Sequence, residues 1–201
     1  KTKRRVFLKT SSIPTEISIP ESKLGRMKLA AGDAVRVKGE FNEDQRFNFF
    51  VLESRHAETP WDVFSDNIGV VNNVNEGKRV IRFIVSREVN GEMPMSALSE
   101  NFVEGDAIEV RLSRYVSKRG AMYRVLLARK TDKKPSELLK KNFSEQVCVS
   151  NGMGFTPSDI FIPPRLLTKH QIEDDQKVSG TAVLTYNMKR SCWGWKAVSV
   201  D

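Results

Sequence analysis

An internal repeat constrains this chain more than any other feature. The run Pro157-Ser158-Asp159-Ile160-Phe161-Ile162-Pro163-Pro164-Arg165-Leu166-Leu167 has a gapless counterpart in Pro14-Thr15-Glu16-Ile17-Ser18-Ile19-Pro20-Glu21-Ser22-Lys23-Leu24. Proline, a hydroxyl, an acid, Ile-x-Ile-Pro and a distal leucine recur in order. The register continues, with Leu29 on Ile172, Gly32 on Asp175 and Val35 on Val178. A third copy is centred on Met93-Pro94-Met95-Ser96-Ala97-Leu98, followed by Phe102, Gly105-Asp106 and Ile108-Glu109-Val110. Repeats of roughly 60 to 75 residues imply three small units, where length alone predicts one or two domains. The boundaries fall at 1–57, 62–131 and 143–201, with a basic linker at 132–142. Units of this size bury thin cores, so they are expected to pack on one another.

Period-2 alternation marks short strands throughout. In the first unit, 4–10 reads as a first strand through Val6 and Leu8. Ile17 and Ile19 carry a second, ended by Pro20, which cannot donate to a ladder. Leu24, Met27 and Leu29 then have helical spacing before strands through Val35, Val37 and Phe41 and over 47–52, joined by a polar tip at 42–45. The second unit shows strands at 68–71, 80–85, 108–112 and 122–128, with Asn90-Gly91 as a hairpin signal. The third runs 146–149, 153–156, 159–163, 178–184 and 193–200. In the linker, Pro135 fits the first turn of a short helix gripped by Leu138 and Leu139. Five short strands per unit predict an all-β chain of three tandem five-stranded barrels of the OB type.

The formal charge is +8, with a pI near 9.6, which favours a polyanionic partner and places nucleic acid ahead of an acidic membrane. KTKRR at the N-terminus has no amphipathic helix beside it, so membrane attachment is not expected. Cys148 and Cys192 alternate with apolar neighbours and are expected as buried free thiols of a reducing, intracellular compartment. There is no signal-peptide pattern or apolar run long enough to span a bilayer, and a start at Lys1 fits a piece of a longer chain. Catalysis finds no support: no GxxxxGK[ST] loop or nucleophile motif occurs, and His56 and His170 lie in different units. No cofactor or metal is expected.

The order Gly-Phe, Asp-Ile-Phe-Ile, Asp-x-x-Val and a closing strand in the third unit resembles a cold-shock domain. In that family, aromatics on the second and third strands stack nucleic-acid bases. The resemblance implies that Phe155 is the second-strand aromatic and Phe161 the third-strand one. Met153 stands where the family has another aromatic, and Pro163 where it has a histidine. Three such units in a row are also similar to the N-terminal region of Armitage-type RNA helicases of the piRNA pathway and a related helicase-less cancer/testis protein. The shared features are Gly69-Val70-Val71, Val74-Asn75-Glu76, Gln146-Val147-Cys148-Val149 and Trp195-Lys196-Ala197-Val198-Ser199-Val200. This likeness implies a role in germline small-RNA silencing, in the cytoplasm, perinuclear granules or the nucleus.

The candidate nucleic-acid residues are therefore Met153, Phe155 and Phe161 for bases, with Lys189 and Arg190 at a hairpin tip for phosphates. Arg111, Arg114, Lys118 and Arg119 form the corresponding basic set of the middle unit. Ile160 and Ile162 belong to the core, so alternation pushes Phe161 outward. Trp193 and Trp195 flank Gly194 on one strand face and are candidates for protein docking. The expected partner is single-stranded RNA. The alternative is a protein-interaction scaffold that recruits a helicase or Piwi-pathway partner within a ribonucleoprotein complex.

Overall fold

The computed structural model describes residues 4–10, 17–29, 33–43, 47–55, 64–117 and 120–201, with backbone alone at 47, 49–55, 115–117 and 120–122. The chain is all-β, with one α-helix among the described residues. No helix among them is long and apolar enough to cross a membrane.

The C-terminal unit shows how the sequence closes a barrel. Its strands are β10 (Lys140–Gln146), β11 (Cys148–Ser150), β12 (Met153–Phe155), β13 (Ile160–Ile162), β14 (Lys177–Asn187) and β15 (Cys192–Val200). They follow the order β10-β14-β15-β13-β12-β11. β10 and β11 are one strand bent at the fully buried Val147, whose N–H donates to the Gln176 carbonyl and whose carbonyl accepts from Asp175. One half pairs with β14 and the other with β12, so the sheet returns on itself. Parallel pairing of β13 with β15 completes the order of an OB barrel. Phe143, Val147, Ile160, Ile162, Leu167 and Ala182 fill it.

The middle unit repeats the plan with β5 (Asp66–Asn75), β6 (Val80–Ile84), β7 (Asn90–Pro94), β8 (Ala107–Ser117) and β9 (Gly120–Lys130), in the order β7-β6-β5-β8-β9. β5 plays the part of β10 and β11, pairing with β8 through its first half and β6 through its second. β7 and β9 share no ladder, so this barrel has an open seam. Asn90-Gly91 is not the hairpin turn; the chain reverses at 85–89, where Val85 N–H donates to the Val89 carbonyl, and Asn90 already pairs with Ile84.

In the N-terminal unit, β1 (Arg5–Leu8) pairs with β2 (Ile17–Pro20) and β3 (Ala34–Phe41) with β4 (Phe47–Arg55). Leu8, Ile17, Ile19 and Leu24 form its core. In each of the three units a strand stops at or just before a proline (Pro20, Pro94, Pro163) and the chain turns helical at once. That landmark aligns β1 and β2 with β12 and β13, so 4–10 corresponds to the second strand of the barrel plan rather than its first. Four strands, not five, occur there among the described residues. Pro14, Thr15, Glu16, Gly32, His56 and most of KTKRR lie outside the described residues.

The helical landmark varies. After Pro20 and Pro94 it is a single 3-10 turn, over Glu21–Lys23 and Met95–Ala97. Only after Pro163 does it become a helix, α1 (Pro164–His170), closed by left-handed Gln171. The helical spacing of Leu24, Met27 and Leu29 therefore does not extend the turn into a helix over the described residues 24–29. The helix expected in the linker is overturned: a turn at Ser136–Leu139 leads directly into β10. Leu138 is exposed there while Leu139 is buried.

The second and third units pack together. Val70, Ile84, Leu139, Val183 and Leu184 share one buried cluster, flanked by Trp193, Trp195 and Val198. Polar contacts frame it: Asn72 Nδ2 donates to the Leu184 carbonyl (3.2 Å), Lys140 Nζ to that of Gly105 (2.7 Å) and Lys196 Nζ to that of Asn72 (2.8 Å). Between the first two units, Lys9 Nζ lies 4.8 Å from the centre of the Phe64 ring.

Candidate nucleic-acid interface

The hairpin β12–β13 builds an aromatic platform from simple alternation. Gly154, Ile160 and Ile162 face the core, which leaves Met153, Phe155 and Phe161 outside. A Cβ on Gly154 would lie 3.0–3.1 Å from Val147, Ile162 and Leu167, so glycine lets β12 lie flat on the core. The turn is held by Thr156, whose hydroxyl accepts from Ile160 N–H (3.3 Å) and whose carbonyl accepts from Asp159, a residue with φ of 56°. Antiparallel register sets Phe155 opposite Phe161. Their rings stand 5.6 Å apart and tilted by 42°, both half-buried, beside Met153 at 37 % exposure.

The register extends the row. Cys148 lies beside Phe155 on β11, and Lys196 lies beside Phe161 on β15. The row thus runs from open surface to the junction with the middle barrel. Lys196 is mostly buried there, donating to Glu104 Oε1 (3.0 Å), while Arg165 pairs with the other Glu104 oxygen. Burial pushes the Lys196 ammonium below the usual lysine range, against the attraction of Glu104. On the opposite side of Phe155, a cleft holds Asp174 and Asp175. Nearby, Glu145 is kept ionised to lower pH, chiefly by the Thr156 hydroxyl. That side of the platform therefore carries negative charge, from Glu145, Asp174 and Asp175.

Lys189 and Arg190 are exposed at the β14–β15 tip, with both N–H groups capped by Asn187 Oδ1. Lys196 in the platform row lies four residues on from Cys192 at that tip, about 13 Å along an extended strand. Exposed Tyr186 and Met188 lie on the same arm, Tyr186 edge-on to Trp193 at 5.2 Å.

Several residues occupy places that differ from expectation. Arg111 is 8 % exposed and locked to Glu109 (2.7 Å), with its other nitrogen donating to the Phe64 carbonyl (2.8 Å). Residues two apart on a strand share a face, so the Glu-x-Arg spacing builds a buried ion pair, not a phosphate ligand. Arg114 is exposed, while Lys118 and Arg119 lie outside the described residues. Trp193 and Trp195 form no open patch; they flank the core between barrels, and Lys141 Nζ lies 4.4 Å from the Trp195 ring centre. The side chains of Phe47 and Phe49 lie outside the described residues.

Both cysteines are exposed rather than buried. Val147 and Val149 point inward, so alternation sends Cys148 out, and Cys192 sits at the tip beyond the core. The linker lysines are largely engaged within the chain: Lys133 with Asp66 (2.7 Å), Lys140 with Gly105 and Lys141 with Trp195.

One aromatic escaped the sequence reading. β1–β2 register sets Phe7 opposite Ser18, the position of Phe161, which makes Phe7 the counterpart of Phe155. It is 62 % exposed. Aligning on the strand-ending prolines would have found it. In the middle barrel the same two positions are Arg82 and Glu92, an ion pair at 2.8 Å.

Strand order, the Pro-to-helix landmark and the outward aromatic pair define tandem cold-shock-like barrels of the OB type. Residues 61–125 match the S1/CSD-like domain 1 of the TOTE conflict systems, and residues 141–200 match the S1/CSD-like domain 2 of the same systems. No curated protein matches the chain.

Proposed function

We propose that this chain is a non-catalytic module that binds single-stranded RNA through its C-terminal barrel. Bases stack on Phe155 and Phe161, Met153 extends the apolar surface, and phosphates run toward Lys189 and Arg190. The carrying observation is the outward Phe155–Phe161 pair, its rings 5.6 Å apart on the two strands of an OB-type barrel. S1/CSD-like matches over both barrels support nucleic-acid binding as the class of activity. A place in germline small-RNA silencing rests only on the short motifs around Val70, Val147 and Lys196.

Anisotropy titration of labelled single-stranded RNA tests this at two salt concentrations. Each stacked base contributes about 1–3 kcal/mol, so Phe155→Ala with Phe161→Ala should weaken binding by one to several tenfold steps. Affinity should also fall as salt rises, because bound phosphates release counterions. Binding unchanged in the double variant sinks the stacking platform.

A second reading, a protein-interaction scaffold, draws on the Arg82–Glu92 pair, which occupies the platform position of the middle barrel with charge instead of rings. An accessory barrel of that kind presents charged surface to a ribonucleoprotein partner.

A further inference from the structure

The open seam of the middle barrel is the feature that the Phe155–Phe161 platform does not use. Two β-bulges fix its equivalence to the closed barrel: one between Arg111 and Leu112 in β8, the other between Thr181 and Ala182 in β14. Opposite them, Leu112 pairs with Val125 and Ala182 with Ala197. Tyr123 therefore stands where Trp195 does, and Arg124 where Lys196 does. Counting back from the strand-ending prolines places Gly91 at Ile160 and Glu92 at Phe161. In the C-terminal barrel these positions are joined, Ile160 to Trp195 and Phe161 to Lys196. In the middle barrel they line the two sides of a cleft of about 330 Å³.

Gly91 contributes to the opening. It lies against the Phe83 ring, where even a Cβ would approach to 2.9 Å, so this position has no side chain where the C-terminal barrel has Ile160. Leu112, Met93 and Val125 supply an apolar floor, and Tyr123, 37 % exposed, forms one lip. The free edge of β7 supplies polarity. Val85 N–H bonds to the Val89 carbonyl and Met95 N–H to that of Arg79. Alternation then turns Asn90 and Glu92 backbone groups away from β6 and into the seam. Arg124 sits at the mouth, and Glu92 is neutralised by Arg82.

We propose that the β7–β9 seam is a second nucleotide site, a pocket that takes one base of a single-stranded RNA. An apolar floor and an aromatic lip suit a flat base, while the β7 edge offers donors and acceptors to the base's own edge. Arg124 faces the attached phosphate. The volume lies at the lower end of the roughly 300–1,000 Å³ found for small-ligand sites, which fits one nucleotide better than a peptide strand. The inference rests on the RNA-binding reading, but its test does not depend on the platform.

The experiment uses the full chain with Phe155→Ala and Phe161→Ala, followed by NMR during titration with uridine and adenosine 5′-monophosphate. The expected result is saturable shifts at the Asn90 and Glu92 amides. Adding Tyr123→Ala should weaken that binding about tenfold or more, and Tyr123→Phe should restore it. No shift at the seam while the parent chain still binds RNA through its platform overturns this site and leaves the main reading intact. If the parent binds no RNA at all, both fall. Shifts produced by an extended acidic hexapeptide but not by nucleotides overturn the site in favour of strand addition to β7.

Discussion

The middle and C-terminal barrels share a plan and differ at the platform positions and at the seam. Where one has Phe155 and Phe161, the other has Arg82 and Glu92. Where one is closed by β13 and β15, the other is open between β7 and β9. The same contrast holds on the outer face of the fourth strand. Aligned through their bulges, Glu109 and Arg111 match Ser179 and Thr181. The former are a buried charge pair, and the latter make neutral hydrogen bonds to Ser144 (2.8 Å) and Asn142 (3.2 Å). The cores keep the barrel, while positions on the other face carry charge in the middle barrel and rings or neutral hydroxyls in the C-terminal one.

The largest effect should come from that charge pair. Glu109 is 1 % exposed and also meets Arg129 at 3.1 Å. Glu109→Ala removes the close carboxylate from buried Arg111, whose next acid, Asp66, is 3.8 Å away, and loss of one partner of such a pair costs about 3–5 kcal/mol. Ser179→Ala, at the matching position, should cost no more than about 0.5–1.5 kcal/mol. Urea denaturation of both variants checks the contrast. Equal costs would show that the Glu109 pair is as dispensable as a surface hydrogen bond. Glu109→Leu with Arg111→Met should recover most of the loss, because the site is already dry.

The next effect tests whether the platform is portable. Arg82→Phe with Glu92→Phe places two rings on β6 and β7 in the register that Phe155 and Phe161 occupy. The exchanged ion pair is half-exposed, so its loss costs only about 0.2–1 kcal/mol of stability. RNA affinity should rise by about 1–3 kcal/mol for each additional stacked base. A folded variant with unchanged affinity in the anisotropy titration would mean that the surroundings of Phe155 and Phe161 matter more than the rings.

What could be read from the sequence was what faces inward. Ile17, Ile19 and Leu24, and their counterparts Ile160, Ile162 and Leu167, are all buried, because period-2 alternation and the core demand the same thing. Outward positions were harder. Cys148 was misplaced because apolar neighbours suggest burial, although alternation with Val147 and Val149 requires the opposite. Phe7 was missed because numbering strands from the first apolar run hid its equivalence to Phe155. Contacts between units were illegible for another reason: Lys196 with Glu104, and Lys140 with Gly105, join residues far apart in sequence through packing that no local pattern encodes.

The smallest expected effect concerns the junction itself. Lys196 and Arg124 occupy matching positions, one buried against the neighbouring barrel and the other at the open seam. Desolvation lowers the Lys196 pKa in the fold below its ordinary 10.5, with Glu104 opposing it. Between the lowered value and 10.5, the unfolded chain holds a proton that the folded chain has released, so stability rises with pH across that window. Below the window, the charged lysine carries its full burial penalty; above 10.5, the gain is complete. Lys196→Met removes the group from both states. Wild-type stability relative to this variant should therefore climb as pH rises toward 10.5, as read from urea midpoints. Arg124→Met should show no such slope, since arginine stays charged throughout that range. Parallel curves for wild type and Lys196→Met would mean that Glu104 fully offsets the burial of Lys196, making the junction as well paired as an exposed ion pair.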